Sequence, residues 1–326
     1  MRILVTGGAG YIGSVCAEEL IRQKHETIVI DDLAQGHKEA LLPEAVFYQG
    51  DFGNKDLLES IFKKHSPEAV IHFAAETLVE FSMSDPGRYF RNNVVCGINL
   101  LDTMLKFNCK KLIFSSTAAV FGEPKYSPID EKHPKNPINA YGESKLMFEK
   151  ILDWYNRAYG LKFNAFRYFN AAGASELHGE DHDPETHLIP VVIRAAQHGA
   201  RMKIFGSDYP TKDGTCVRDY VHILDLAQAH ILALDNLEAR CCARYNLGNS
   251  IGYTNLEVVR TVEKVSGKRV DYETVPRRKG DPSELVAASE LAKSELGWRP
   301  KYESLESIIE SAWKWRQRHP QGYADK

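Results

Sequence analysis

No stretch of this sequence approaches the roughly 20 consecutive apolar residues that a membrane-spanning helix needs, so no membrane location is expected. The apolar run Ile3-Leu4-Val5 is far too short for the core of a signal peptide. A cytoplasmic location is expected. Cysteine is scarce: Cys16, Cys96, Cys109, Cys216, Cys241 and Cys242 include no C-x-x-C pair, and no His/Cys cluster has zinc spacing. The adjacent Cys241 and Cys242 are badly placed for an ordinary structural disulfide, so reduced thiols are expected and no metal. Neither sign of charge is in excess, with 41 Lys and Arg against 44 Asp and Glu, net -3. That balance speaks against general polyanion or nucleic-acid binding, and confines any phosphate site to a few local residues. Internal repeats and low-complexity segments are also lacking.

What is present is an alternation of strand and helix patterns. Strands are expected at residues 2–6, 27–31, 46–49, 69–73, 111–115 and 163–168, with helices at 12–23, 56–65, 92–107 and 140–159. Several strands are apolar throughout, which suits parallel strands covered on both faces. The pattern predicts an α/β fold, a Rossmann-type doubly wound parallel sheet with a smaller mixed α/β C-terminal lobe. At 326 residues the chain has room for about two domains of roughly 150 residues each. Residues 1–170 are expected to form the first domain, with a return segment at about 217–250 that includes a helix at 225–237 and a strand at 243–247. Residues 171–326 are expected to form mainly the second lobe. Residues 171–190 read as one long loop, of the kind that is commonly functional.

The first strand runs into Thr6-Gly7-Gly8-Ala9-Gly10-Tyr11-Ile12-Gly13, which satisfies both G-x-x-G-x-x-G and G-x-G-x-x-G. Glycines here serve a tight turn, close approach of backbone to a pyrophosphate, and close helix–strand packing. The phosphates would sit at a helix N-terminus, where N–H groups and the dipole favour negative charge. Asp31 ends the second strand, where a carboxylate accepts from ribose hydroxyls and repels a 2′-phosphate, favouring NAD over NADP. Gly50-Asp51-Phe52 reads either as an adenine contact or as a turn. Downstream, Tyr141 and Lys145 form Y-x-x-x-K, one face of a helix. A cation near the phenol would lower its ordinary pKa of about 10. Thr117, at the end of the fifth strand, faces the crevice where such sheets bind ligands.

Taken with Phe73-Ala74-Ala75 and Ser115-Ser116-Thr117, these segments resemble the extended short-chain dehydrogenases/reductases. Further segments narrow the likeness to the UDP-glucose 4-epimerases: Tyr168-Phe169-Asn170-Ala171-Ala172-Gly173, Asp213-Gly214-Thr215-Cys216-Val217-Arg218-Asp219-Tyr220-Val221-His222, and Tyr245-Asn246-Leu247-Gly248. The resemblance implies reversible C4 epimerisation of UDP-glucose and UDP-galactose through a 4-keto sugar, with NAD bound tightly throughout. Tyr141 would remove the proton of the sugar 4-OH, Lys145 would hold the nicotinamide ribose and tune Tyr141, and Thr117 would bond the sugar. It also implies that NAD is lined by Gly7, Gly10, Tyr11, Ile12, Gly13, Asp31, Asp32, Leu33 and Gly36. Further on, Asp51, Phe52, Phe73, Ala74, Ala75, Thr77, Asn92, Ser115 and Phe169 would complete the NAD site with Tyr141 and Lys145. Asn170, His187, Leu188, Lys203, Ile204, Phe205, Arg218, Tyr220, Arg278 and Asp281 would hold UDP or its sugar. Arg suits a diphosphate because its planar fork bonds bidentately, although Arg218 or Arg278 taken singly also reads as a surface salt bridge, and Phe205 as core packing. Three positions depart from the family pattern. Thr77 stands where some members have Lys, His187 where many have Asn, and Leu285 where pocket size is set.

A dehydratase or decarboxylase on this fold would place acidic residues beside the Thr, whereas Thr117 is followed by Ala118-Ala119. A non-catalytic relative would have lost Tyr141 or Lys145. The helices at 92–107 and 140–159 carry Leu100, Leu101, Met104, Leu105, Met147, Phe148, Ile151 and Leu152. The family pairs such helices across a two-fold axis, so a homodimer is expected, with the monomer core as the alternative use of these residues.

Overall fold

Strands apolar on both faces must be covered on both faces, and burial along the chain meets that requirement. The computed structural model describes residues 1–278 and 281–324. β1 (Arg2–Thr6), β2 (Glu26–Asp31), β3 (Val46–Gln49), β4 (Ala69–His72), β5 (Lys111–Thr117) and β6 (Lys162–Tyr168) appear where the pattern placed them, within two residues at each end. With β10 (Ala243–Leu247) they form one seven-stranded parallel sheet in the order β3-β2-β1-β4-β5-β6-β10. The order reverses between β1 and β4, which opens a crevice at the carboxyl ends of those strands.

One face of the sheet is covered by α1 (Tyr11–Arg22) and α8 (Ile223–Asn236), which bury Val15, Leu20 and Leu226 with Trp298. The other is covered by α2 (Lys55–His65), α5 (Gly97–Lys106) and α6 (Ala140–Tyr159), which bury Leu58, Ile61, Leu100 and Phe148. The short α3 (Val79–Ser84) and α4 (Pro86–Phe90) precede α5. The helix expected over 92–107 is not uniform: a π-helical segment, Arg91–Cys96, comes before α5. Among the apolar residues singled out on these helices, Leu100, Leu101, Met104, Phe148 and Leu152 lie in the core of the monomer. Only Met147 of that set is exposed, at 37%.

The expected loop over 171–190 is shorter than predicted. β7 (Asn170–Ala172) pairs in parallel with β9 (Val217–His222), and α7 (Leu188–His198) starts inside the segment. Asn-Ala-Ala has little strand propensity of its own; the pairing to β9 makes it a strand. β9 also pairs with β11 (Gly252–Thr254) and β13 (Glu284–Leu285), while β8 (Met202–Phe205) pairs with β12 (Tyr272–Val275). α7, α9 (Asn255–Ser266) and α11 (Leu305–Arg318) enclose a separate apolar cluster containing Val192, Val258 and Ile308. α10 (Glu290–Glu295) packs its Ala292 back into the core of the large sheet. Among the described residues, no helix is long and apolar enough to cross a membrane.

A buried ionic cluster ties α6 to the sheet. The Glu149 carboxylate accepts from Ser116 Oγ at 2.6 Å, Arg167 Nε at 3.0 Å and Arg167 Nη2 at 2.6 Å, and Arg244 Nε lies 3.5 Å away. Glu149 and Arg167 are each 2% exposed. Burial alone would raise the acid's pKa, but the bonds from Arg167 and Ser116 and the nearby guanidinium charges hold it below the ordinary value. Removing one member of a buried pair strands the other charge. Glu149→Leu should therefore cost roughly 3–5 kcal/mol of stability, and the double variant Glu149→Leu/Arg167→Met much less. Urea unfolding with NAD at a fixed saturating level measures both, and equal losses in the two would contradict this account.

Candidate active site

The glycine turn is shaped by contacts that a side chain would block. Gly7 has φ 70, and a Cβ there would lie 2.6 Å from Ala74 N, so the turn abuts the end of β4. A Cβ on Gly13 would lie 2.1 Å from Gly7 O, which seats α1 directly on the turn. Gly10 differs, since its Cβ would meet only Gly7 O, at 3.4 Å. It is the N-cap of α1 and supplies no side-chain cap, so the first-turn N–H groups remain directed at whatever occupies the space above it.

Asp31 sits beside this turn. Its Oδ2 accepts from Ala9 N and its Oδ1 from Leu33 N, both at 2.9 Å. Burial pushes the carboxyl pKa up, against the pull of those N–H groups. Gly36 completes the enclosure, because a Cβ there would stand 2.9 Å from Asp31 Oδ1. Asp32 Oδ1 accepts from Ala34 N at 2.9 Å and shapes the turn after β2. Asp51 is exposed and its Oδ1 accepts from Gly53 N at 2.7 Å, which is the turn reading of that residue. Phe52 is buried, its ring centre 5.0 Å from that of His72, and Phe73 lies 4.8 Å from His230. Ala74 and Ala75 are half-buried, whereas Thr77 is exposed. Asn92 Nδ2 bonds Asn93 Oδ1 at 3.2 Å. Asn93, which sequence reasoning passed over, is the buried joint: it accepts from Glu76 N at 2.8 Å, and its Nδ2 bonds Glu76 O and Ser144 Oγ, each at 3.0 Å. Only the spacing of adjacent asparagines inside a helix pattern hinted at it.

Tyr141, Lys145, Thr117 and Ser115 come together as the pattern predicted. Asn139 caps α6 by accepting from Gly142 N at 2.8 Å. A Cβ on Gly142 would lie 2.5 Å from Ala119 O, so the first turn of α6 is pressed against the 3-10 turn Ala118–Phe121 that follows Thr117. Thr117 Oγ1 accepts from Ala119 N at 3.1 Å, which leaves its proton to donate to the Tyr141 oxygen. Burial pushes the phenol above its ordinary pKa, and the Thr117 bond pulls it part of the way back. Lys145 Nζ donates to Ser115 O at 2.9 Å and lies 4.9 Å from the Phe114 ring centre. Burial lowers its pKa to about 7. The ammonium is directed at the strand carbonyl, and the chain's own residues leave Tyr141 less acidic than free tyrosine.

The candidate substrate residues form a second group. Arg218 Nη2 pairs with Asp281 Oδ1, and Nη1 donates to Val217 O at 2.7 Å. The Arg218 side chain is 11% exposed, so this is no solvated surface pair. The Arg278 guanidinium lies 3.9 Å from the Phe205 ring centre, and Phe205 is half-buried rather than core. Asn170 Nδ2 donates to Asp219 O at 2.7 Å. β8 alternates, with Lys203 exposed and Ile204 in the core. The Ile204 and Tyr220 side chains both lie in the apolar cluster of the second lobe. Leu188 opens α7 at the margin of that cluster. Phe169 packs with Val120, Phe121 and Leu146, with Leu285 at the edge. His187 is half-exposed and tied through Nδ1 to Glu185 Oε1 at 2.8 Å.

Residues 3–248 match the model of the NAD dependent epimerase/dehydratase family. The UDP-glucose 4-epimerase of Lacticaseibacillus casei is 49% identical over 331 residues, covering 100% of both chains. A crystal structure of a UDP-glucose 4-epimerase matches with a TM-score of 0.97 at 46% identity, covering 99% of each chain. The UDP-glucose 4-epimerase from Brucella ovis in complex with NAD matches with a TM-score of 0.93 at 43% identity, covering 96% of this chain and 98% of that one.

The Lys145 environment gives a pH test on NAD-stripped protein. Unfolded, the amine keeps its proton up to its ordinary value of 10.5; folded, it loses it at about 7. The unfolded state thus binds more protons across that window, and stability rises with pH there by up to about 1.4 kcal/mol per unit. Below pH 7 both states are protonated and the burial penalty is present in full. Urea unfolding should show the stability gap between Lys145→Met and wild type narrowing from pH 7.5 to pH 9. Parallel pH slopes in the two proteins would show that Lys145 is not strained in this way.

Proposed function

The chain belongs to the NAD dependent epimerase/dehydratase family, and from that membership we propose that it interconverts UDP-glucose and UDP-galactose by inverting the sugar at C4. It is an NAD-dependent epimerase. The observation that carries the reading is the group of side chains at the crevice: Tyr141 beside Thr117 and Lys145 on Ser115 O, with Ala118 and Ala119 where a dehydrating relative needs acids.

The residues fit NAD. The open space above Gly10 and the uncapped start of α1 suit a pyrophosphate, and the buried Asp31 carboxylate suits the adenosine ribose. Bound NAD would take up the hydride from C4 of the sugar and return it, and as the oxidised ring would supply a positive charge. The rest falls to the chain's own side chains. As phenolate, Tyr141 would accept the proton of the sugar 4-OH as C4 is oxidised to the ketone, and as phenol it would return that proton when C4 is reduced on its other face. Thr117 donates to the same oxygen and steadies its phenolate form before the proton arrives. Lys145, anchored on Ser115 O, holds the cofactor ribose one helical turn from the phenol. Arg218, with Asp281 as counter-ion, and Arg278 take the UDP diphosphate.

In the same proposal, residues 1–170 with the return segment 217–250 bind NAD, and the remainder binds the UDP-sugar. The six unpaired cysteines support a reducing, cytoplasmic setting. A homodimer forms through α6, where Met147, Ile151 and Trp154 follow i, i+4, i+7 spacing, and Met147 and Trp154 are 37% and 66% exposed.

Tyr141→Phe should lower kcat by about 10²–10⁴-fold, the usual contribution of general acid–base catalysis, while NAD content and UDP affinity stay unchanged. Turnover within a few fold of wild type would remove Tyr141 from the role. Light scattering should give a dimer mass at micromolar concentration and a monomer for Trp154→Glu; a monomeric wild type refutes the dimer.

A further inference from the structure

The connection 173–187 holds a cluster that the epimerisation chemistry does not use. Within it, Asp181 is engaged structurally: it accepts from Tyr323 N at 2.9 Å and pairs with Arg316 at 3.2 Å and Arg194 at 3.4 Å. Its neighbours Glu180 and His182 meet His187 instead. One ligand atom from each of Glu180, His182 and His187 lies within 4.8 Å of the other two.

Three features of this cluster match a metal site. The His182 and His187 ring centres are 5.7 Å apart at an interplanar angle of 48°. Two imidazoles on one tetrahedral ion, with metal–nitrogen bonds of about 2.1 Å, place their ring centres roughly 5–6 Å apart. Each ring also meets a carboxylate at Nδ1: on His187 it is an outer-shell partner, and on His182 it is the proposed ligand Glu180 itself, so His182 would bind through Nδ1. Glu180 Oε1 holds His182, and Glu185 Oε1 holds His187 at 2.8 Å. On His187 the carboxylate at Nδ1 fixes the tautomer that presents an Nε2 lone pair, the outer-shell arrangement of metal-bound histidines. Finally, the Glu185 side chain is 1% exposed, yet its Oε2 has no hydrogen-bond partner. A buried carboxylate oxygen left unpaired is costly, and a nearby cation offsets that cost.

We propose that Glu180, His182 and His187, backed by Glu185, bind one divalent transition-metal ion. The mixed imidazole and carboxylate donor set favours Zn²⁺ or Co²⁺ over Mg²⁺ or Ca²⁺. Cys/His spacing in the sequence did not reveal the site, because its ligands are a carboxylate and two histidines in a Glu-x-His-x-x-x-x-His run. Its role is positional. Glu180 and His182 line a cavity of about 10 Å³ together with Gly10 and Tyr11, and Tyr11 Oη donates to Gly173 O at 2.6 Å. An ion there would fasten the connection to the start of α7 beside the glycine turn.

The test uses the full chain with its NAD, treated with chelator, dialysed and titrated with Zn²⁺ alone by calorimetry. One ion should bind per chain with a dissociation constant at or below the micromolar range. Glu185→Gln should weaken binding about 10–100-fold, the usual effect of losing an outer-shell partner, and His182→Gln by at least as much. Zn²⁺ should raise the melting temperature of wild type and leave that of His182→Gln unmoved. If His182→Gln does not fold, Glu185→Gln decides the matter. Absence of a saturable site, or wild-type affinity in the variants, overturns the proposal, since the ion would then sit on other histidines. No arm reads epimerase activity, so failure here leaves the proposed function untouched.

Discussion

The geometry of the active site hangs on the buried carboxylate of Glu149. Tyr141, Lys145 and Glu149 stand at i, i+4 and i+8 on α6, one face of one helix. Each meets a consecutive part of the end of β5: Tyr141 at Thr117, Lys145 at Ser115 O, and Glu149 at Ser116. Arg167 on β6 and Arg244 on β10 hold the far end of that stripe. A helix docked by apolar contacts alone can rotate or slide at little cost. One fixed by three polar side chains that each reach a specific partner on the sheet has a single register. The cluster therefore converts the fold's most buried ionic contact into the placement of a phenol and an amine.

The same burial that fixes these groups also disfavours their charges. Tyr141 is pushed toward neutral phenol and Lys145 toward neutral amine. The pair on its own is a weak base, and its proton-accepting power depends on the positive charge that oxidised NAD brings. This couples the two half-reactions. In the proposed reaction, oxidised cofactor would favour the phenolate, which accepts the proton, and reduced cofactor with the ketone would favour the phenol, which donates it. Idle proton chemistry in the closed site is thereby discouraged without any further acid or base.

The features legible in the sequence were those with local signatures. Strands buried on both faces, the glycine turn, Asp31, and Y-x-x-x-K after a strand ending in Ser-Ser-Thr each announce themselves through period, turn chemistry or spacing. What escaped depends on contacts across the fold. Glu149 reads as a solvated helix residue until Arg167, 18 positions later, is brought beneath it. Asn93 reads like its neighbour Asn92 until Glu76 and Ser144 are seen to meet it. The strand in Asn170–Ala172 exists because β9 pairs with it. Ile204 and Tyr220 were placed at the ligand by resemblance, and both side chains lie in the apolar cluster of the second lobe. The apolar residues on α5 and α6 were split between core and surface in a way that periodicity alone does not resolve.

The central claim is that a hydride leaves C4 and returns to C4 within one closed site, with Tyr141 handling the accompanying proton. It is tested most directly with UDP-galactose carrying deuterium at C4, converted in ordinary water with excess unlabelled NADH present. The account predicts UDP-glucose that retains the full deuterium label at C4, with none in solvent or in the free cofactor pool. Loss of the label to water, or its appearance in free NADH, would contradict it.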